Sequence, residues 1–181
     1  MTLAATSPAA GRAPNDLGRF GLGLKTASLS QCRTLTVVTK NEEGVTALRW
    51  SLDHVMATSD WSLIELDEGD LDGLLGWSRL EELASGTLVH WGELDLLALT
   101  EGDSQDDLDR IAIRVRDHIA LVFHLFDGKD GIPKVDMRMN GAAVQRIDPF
   151  MSGRSTPSPW ESINVEGETV RLVAHTLPYL S

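Results

Sequence analysis

A short stretch near the start of the chain concentrates residue types that can bind an anion. Residues 16–32 read DLGRFGLGLKTASLSQC, and their three glycines are Gly18, Gly21 and Gly23. Glycines ahead of a helix let the backbone approach a ligand closely, and exposed N–H groups at the helix start attract negative charge. Lys25 adds a point charge suited to a phosphate, while Thr26 and Ser28 add hydroxyl groups for hydrogen bonds. The chemistry indicated is the binding of a phosphate-bearing ligand.

Three interpretations of this glycine segment, residues 18–23, remain open on the residues alone. A P-loop, G-x-x-x-x-G-K-[ST], has the spacing of Gly18 and Gly23, but Leu24 intervenes before Lys25 and turns that lysine by about 100° around a helix. A dinucleotide fingerprint requires the order G-x-G-x-x-G after a strand, and here the spacing is reversed. The third interpretation is structural, because the glycines would also pack a helix closely against a sheet.

The residues that follow predict the elements that must position the glycine segment. Apolar Leu22, Ala27 and Leu29 favour a half-buried helix, and Asn41 to Gly44 is typical of a turn. Alternation and β-branched residues predict strands over residues 34–39, 47–52, 61–66 and 86–91. The acidic residues 67–72 are expected to form a solvated loop. One helix followed by a largely antiparallel meander is therefore predicted.

The second half of the chain begins with the longest periodic stretch. Apolar residues recur at steps of three and four from Asp106 to Phe126, which predicts one amphipathic helix with acidic residues in its first turn. Further strands are predicted over residues 134–140, 144–147 and 170–175. Asn140 and Gly141 favour a hairpin turn. A domain boundary is expected at residues 100–105.

Composition restricts the class of protein. The 181 residues carry 16 Lys and Arg against 27 Asp and Glu, a formal net charge of −11. This excess of negative charge does not support a protein that coats nucleic acid, since phosphate neutralisation requires basic residues. No apolar run reaches the ~18 residues of a membrane helix, and the N-terminus has no signal-peptide pattern. With Cys32 as its single cysteine, the chain is expected to be a soluble, acidic, cytoplasmic protein without disulfides.

The other polar residues are assigned no catalytic or metal-binding role. Ser28, Ser30 and Cys32 have no spaced His and Asp partners for a hydrolase triad. His118 and His124 lie about 240° apart on the predicted helix, which favours solvated or capping roles over joint metal binding. The remaining histidines, which have no spaced partners, are His54, His90 and His175.

Buried packing is predicted for tryptophans and for the cysteine. Trp50, Trp61 and Trp91 fall within strand-like segments, and a base-stacking platform would need basic neighbours that are scarce here. Cys32 ends the first predicted helix, where it is expected to be a small buried hydrophobe.

The stretch LGRFGLGLKTAS, from Leu17 to Ser28, resembles the glycine segment that closes the ATP lid in the GHKL superfamily. This superfamily includes DNA gyrase B, the mismatch-repair protein MutL, the heat-shock-ninety chaperones, sensor histidine kinases and the MORC proteins. The bacterial heat-shock-ninety-like and MORC-like members look most similar, because their segment also runs directly into a strand such as residues 35–40. Gly86 and Thr87 resemble the later Gly-Thr box of the superfamily.

The resemblance implies the fold class and the domain organisation. The fold would be α/β, an α+β two-layer sandwich forming the C-terminal part of a GHKL ATPase domain. Residues 118–126, the pair Asn140-Gly141 and residues 148–150 resemble the start of a transducer-like α+β domain. The expected organisation is a disordered tail or lid remnant at 1–15, a partial ATP-binding domain at 16–100 and the start of a second domain at 101–181.

The resemblance also implies site residues. The phosphates of ATP would be cradled by the backbone of Gly18, Arg19, Phe20, Gly21, Leu22 and Gly23. Lys25 would contact the terminal phosphate beside Thr26, and Thr87 would lie near the adenine. In the intact protein, ATP binding would be coupled to hydrolysis and to conformational switching or formation of a homodimer.

The chain departs from the superfamily pattern ahead of the glycine segment. There the superfamily has a general-base Glu, a magnesium-binding Asn and an Asp-x-Gly-x-Gly box for adenine, none of which is found here. Asp16 does not replace the adenine-binding Asp, and residues 70–73, DLDG, lie on the wrong side of the glycine segment. An internal fragment is therefore expected, with ATP and Mg as cofactors of the intact protein and negligible hydrolysis by this chain. The alternative is a non-catalytic interaction module without nucleotide.

Overall fold

The structure, a computed structural model, describes residues 23–95, 105–129 and 132–179. The predicted tail at 1–15 lies outside the described residues, as do five of the predicted phosphate-binding residues, which are Gly18, Arg19, Phe20, Gly21 and Leu22. The chain divides into two compact units, Met1–Thr100 and Glu101–Ser181.

The first unit contains a four-stranded antiparallel sheet with short helices. Its helices are α1 (Gly23–Leu29), α2 (Leu52–Thr58) and α3 (Trp77–Glu81), with a 3₁₀ turn at Glu68–Asp70. Its strands are β1 (Thr34–Asn41), β2 (Gly44–Ser51), β3 (Ile64–Glu65) and β4 (Gly86–Gly92). The strand order is β3-β2-β1-β4, and every pairing is antiparallel. The predicted α+β fold class is confirmed. The predicted antiparallel meander holds for β1, β2 and β3, whereas β4 pairs with β1 at the other side of the sheet.

Three rows of side chains cross one face of this sheet, which we call the α1 face. The register aligns Thr46, Thr39 and Thr87 in the first row, Leu48, Val37 and Val89 in the second, and Trp50, Leu35 and Trp91 in the third. Alternate residues of a strand point to opposite faces, so these nine side chains share one face. Helix α1 lies at the third row, where Leu29 packs against Cys32, Leu35 and Trp50. The threonine row is exposed.

The opposite face of the sheet carries the larger core. Its buried members are Val38, Ala47, Leu71, Trp77 and Leu80. The prediction of a solvated loop at 67–72 is only partly right, because its other residues are exposed while Leu71, which follows the 3₁₀ turn, is buried in this core. One leucine among the acidic residues gains enough apolar contact to anchor the whole stretch on the sheet.

Other differences in the first unit concern short elements. β3 spans Ile64–Glu65 only, although residues 61–66 were predicted as a strand. Helices α2 and α3 were not predicted, since a helix of five to seven residues is too short to show a period. In α1 the buried residues are Lys25 and Ser28, whereas Ala27 is exposed.

The second unit combines one long helix with small two-stranded sheets. Its helix is α4 (Gln105–Val122). Its strands are β5 (Arg138–Met139), β6 (Ala142–Ala143), β7 (Thr156–Pro157), β8 (Glu161–Val165), β9 (Glu168–Leu172) and β10 (His175–Thr176). The pairs are β5 with β6, β7 with β10 and β8 with β9, all antiparallel. The predicted helix is confirmed, but it ends at Val122 rather than Phe126.

The strand predictions for the second unit are only partly right. The turn at Asn140-Gly141 is confirmed, because it joins β5 to β6 with φ of 49° and 82°, as a type I′ hairpin requires. Residues 144–147 do not form a strand, and residues 170–175 divide between β9 and β10. The hairpin of β8 and β9 was not predicted, although Glu166 and Gly167 form a similar turn with φ of 53° and 90°.

Candidate functional site

The described part of the predicted site consists of Gly23, Lys25 and Thr26 on α1 and of Thr87 on β4. Gly23 begins α1, and the first turn of this helix carries no acidic side chain. Both lysine and threonine are on the α1 face. Lys25 lies at the third row, beside Trp50, and Thr87 lies in the first row. Four residues of strand separate these rows, a distance of about 13 Å. The structure therefore brings the two predicted ends of the site onto one face of one sheet.

Lys25 is nearly buried, with 9% of its surface exposed. Its Nζ atom lies 5.2 Å from the centre of the Trp50 ring, a distance at which the indole face attracts a cation. Trp50 is itself buried and lies in the third row of the sheet. The lysine charge is therefore held beneath α1, next to an aromatic ring.

A cavity of about 340 Å³ opens beside this lysine. Its lining residues are Lys25, Thr26, Leu29, Ser30, Trp50 and Trp61. Trp61 is 59% exposed, so the prediction that it packs in the core is wrong. It lies in the connection between α2 and β3, outside any strand, and the sheet therefore does not cover it. The cavity combines a positive charge and hydroxyl groups with two aromatic rings.

Ser28 links α1 to the edge of the sheet. The indole Nε1–H of Trp91 donates a hydrogen bond to Ser28 Oγ at 2.9 Å, and Ser28 is fully buried. The sequence suggested Ser28 as a hydroxyl for a ligand and Trp91 as a core residue. Both assignments need correction, because the serine hydroxyl bonds the indole while the Trp91 side chain remains 40% exposed.

Cys32 contacts the backbone of Ser28. Its thiol donates to the Ser28 carbonyl oxygen at 3.1 Å, and its backbone N–H donates to the same oxygen at 3.0 Å. Burial raises the pKa of the Cys32 thiol, and the nearby Asp95 carboxylate raises it further. The prediction of a small buried hydrophobe is confirmed, and the thiol is held in its neutral form.

Thr87 follows a glycine that has a packing role. A Cβ atom on Gly86 would lie 2.8 Å from Leu80 Cδ1, so this position allows α3 to approach the start of β4 closely. Thr87 then points to the α1 face, where it is exposed beside Thr39. Val89 follows on the same face and is also exposed. This part of the face offers a hydroxyl group next to an apolar surface.

The described residues do not supply a cluster of side chains suited to a metal ion. Across residues 23–95, 105–129 and 132–179, no group of three His, Cys, Asp or Glu side chains could hold a metal ion. His124 lies just beyond the end of α4, where its Nδ1 is 2.6 Å from the Leu121 carbonyl oxygen, which agrees with the predicted capping role. His175 Nδ1 contacts Ser155 Oγ at 3.1 Å, a pairing that the sequence did not indicate.

A helix led by glycine on one face of an antiparallel sheet, with an exposed threonine on the same face, defines a domain of the α+β class. The model of a family described as histidine kinase-, DNA gyrase B-, and HSP90-like ATPase matches residues 1–87. The match supports a GHKL-type ATPase domain over these residues. The matched stretch contains every residue that the resemblance assigned to the site. Comparison with curated proteins and with solved structures gave no match.

None of the helices within residues 23–95, 105–129 and 132–179 is both long enough and apolar enough to cross a bilayer.

Proposed function

We propose that this chain binds ATP, with the phosphates at the glycine segment and at Lys25 and Thr26, and the adenine beside Thr87. The observation that carries the proposal is the placement of Lys25 and Thr87 against the same face of one sheet. The family match supports it, because that match includes both residues and the whole glycine segment.

The chemistry of these residues suits the two ends of a nucleotide. Lys25 supplies a positive charge and Thr26 a hydroxyl group, which favour phosphate oxygens. Thr87 supplies an exposed hydroxyl that can donate to or accept from an adenine edge, and exposed Val89 supplies an apolar surface for the ring. ATP would bring a triphosphate whose negative charge complements the lysine. Among the described residues, no three His, Cys, Asp or Glu side chains form a group that could hold a magnesium ion.

In the intact protein, this binding would be coupled to ATP hydrolysis and to conformational switching or homodimer formation. The coupling rests on the superfamily resemblance. A domain that closes around a nucleotide would transmit the change through α1, because α1 follows the glycine segment directly and packs on the sheet.

A non-catalytic interaction module is the second candidate function. The contact of Lys25 with Trp50 favours this candidate. Lys25 lies beneath α1 with 9% of its surface exposed, so to contact a nucleotide it would have to leave Trp50 or bind a phosphate from that position. In this case the domain would keep the fold without the nucleotide.

The test is a titration of the purified chain with Mg-ATP and with a non-hydrolysable analogue, followed by heat and by tryptophan fluorescence. The matched variants are Lys25→Met and Lys40→Met. Lys40 lies on the opposite face of the same sheet, where its Nζ donates to the Glu81 carbonyl oxygen at 2.6 Å. We expect saturable binding that Lys25→Met weakens and Lys40→Met leaves unchanged.

Two outcomes would contradict ATP binding at this site. Absence of binding by a chain that circular dichroism shows to be folded would favour the interaction module. Equal weakening by both lysine substitutions would indicate a general effect of net charge rather than a contact at Lys25.

A further inference from the structure

The hydrogen bond between Trp91 and Ser28 joins the two elements, β4 and α1, that carry the two ends of the proposed nucleotide site. Ser28 lies on α1, three residues after Lys25, and Trp91 lies on β4, four residues after Thr87. The two bonded residues are 63 positions apart in the chain. A contact between such distant segments fixes their relative position, which local sequence alone cannot do.

The geometry of this contact is suited to a rigid connection. Trp91 stands on the α1 face beside Leu35, so its indole ring extends from the sheet toward the helix. The acceptor Ser28 has no exposed surface, and its carbonyl oxygen also accepts from the N–H groups of Gln31 and Cys32, at 2.9 and 3.0 Å. The serine is therefore held on both its side-chain and its backbone oxygen, and the indole bonds a fixed point.

We infer that Ser28 and Trp91 are positioning residues that set the distance between the phosphate end and the adenine end of the site. The inference rests on the proposed function. Neither residue needs to touch the nucleotide, because each acts through the element that carries a proposed contact. A ligand that contacts both ends at once benefits from their fixed spacing, whereas a ligand that contacts one end does not.

The test compares three ligands on the same protein, namely ATP, adenosine and inorganic triphosphate. Ser28→Ala removes the acceptor, and Trp91→Phe removes the donor while keeping an aromatic ring. We expect each variant to bind ATP about three- to tenfold more weakly than the wild type, the effect of losing one hydrogen bond. The affinities for adenosine and for inorganic triphosphate are expected to remain at their wild-type values.

The double variant and a matched control complete the experiment. Because each single change breaks the same bond, Ser28→Ala combined with Trp91→Phe should weaken ATP binding no more than either change alone. Trp160→Phe makes the same chemical change in the second unit, where Trp160 contacts Arg171, and should leave all three affinities unchanged. Thermal unfolding shows which variants are folded. If Ser28→Ala does not fold, the affinities of Trp91→Phe test the inference.

The outcomes separate this inference from the function on which it rests. If the wild-type chain binds ATP, two results would overturn the positioning role alone. One is an equal loss of affinity for all three ligands in a variant, and the other is an unchanged affinity for ATP in a folded variant. Failure of the wild-type chain to bind ATP would overturn the proposed function and the positioning role together.

Discussion

The Nζ atom of Lys25 lies 5.2 Å from the centre of the Trp50 ring, and both side chains are almost fully buried. In such a partly desolvated setting a cation near an indole face contributes about 0.5–2 kcal/mol. The pair also places a charge next to a fluorophore, because the emission of an indole responds to nearby charges. The lysine that is proposed to contact phosphate is therefore observable through its own neighbour.

Replacing Lys25 with Met should change the tryptophan emission while leaving the chain folded. Met keeps an apolar stem against Trp50 but removes the charge, so the free energy of unfolding should fall by no more than about 2 kcal/mol. Emission spectra and urea unfolding measure the two effects. Lys134→Met is the control, because Lys134 lies in the second unit and pairs with Asp136 at 3.3 Å. A spectrum identical to that of the wild type would contradict the contact.

Leu71 and Leu75 offer a comparison of two leucines within one short segment. Leu71 is 1% exposed in the core with Val38 and Trp77, whereas Leu75 is 85% exposed. Leu71→Ala should lower the free energy of unfolding by about 2–5 kcal/mol, because it leaves a cavity in a packed core. Leu75→Ala should change it by less than about 0.5 kcal/mol. Urea unfolding of both variants measures the difference, and similar losses would show that the acidic stretch is not anchored through Leu71.

Cys32 should react slowly with iodoacetamide in the folded chain. The thiol is buried, donates to the Ser28 carbonyl oxygen and has a raised pKa, so little thiolate is present at a pH of about 8. Because the folded pKa is above the unfolded value, the stability contributed by the neutral thiol is present at lower pH and is lost as pH rises past about 8.5. Mass spectrometry of samples alkylated in buffer and in concentrated urea measures the contrast. Equal rates in the two samples would contradict the burial of Cys32.

Periodicity predicted the long elements of this fold. β1, β2, β4 and α4 each show enough repeats to reveal a period of two or of 3.6 residues, and all four are present. The elements that were not predicted, such as α2, α3 and β7, have between two and seven residues. Their formation depends on local caps and on packing, as in α2, where the His54 N–H donates to Ser51 Oγ at 3.2 Å.

The candidate site was only partly predictable because residue type does not specify a partner. A serine next to a glycine segment suggests a ligand hydroxyl, yet Ser28 Oγ is occupied by an indole 63 residues away. The strand pattern placed Trp91 within a sheet but did not indicate what covers its side chain. Trp50 and Trp91 flank Leu35 in the same row, yet of these two tryptophans only Trp50 is buried. Tertiary packing decides such cases.

Asp148 should make the stability of the second unit depend on pH in the acidic range. Its carboxylate accepts from the Ser152 N–H at 2.7 Å and from the Phe150 N–H at 2.9 Å, and these bonds hold its pKa below the ordinary value. Because the folded pKa is lowered, the contribution is present above the unfolded pKa of about 3.9 and is lost as pH falls through the lower, folded value.

Asp148→Asn should therefore lower the melting temperature at neutral pH and reduce its decrease on acidification. The decrease should not vanish, because Asp127 also has a lowered pKa through its hydrogen bonds with Lys129. Asp136→Asn is the matched control, since Asp136 is exposed and pairs only with Lys134 among the residues the structure describes. Thermal unfolding followed by circular dichroism at several pH values measures the slopes. A slope for Asp148→Asn equal to that of the wild type would show that this carboxylate does not anchor the residues that follow it.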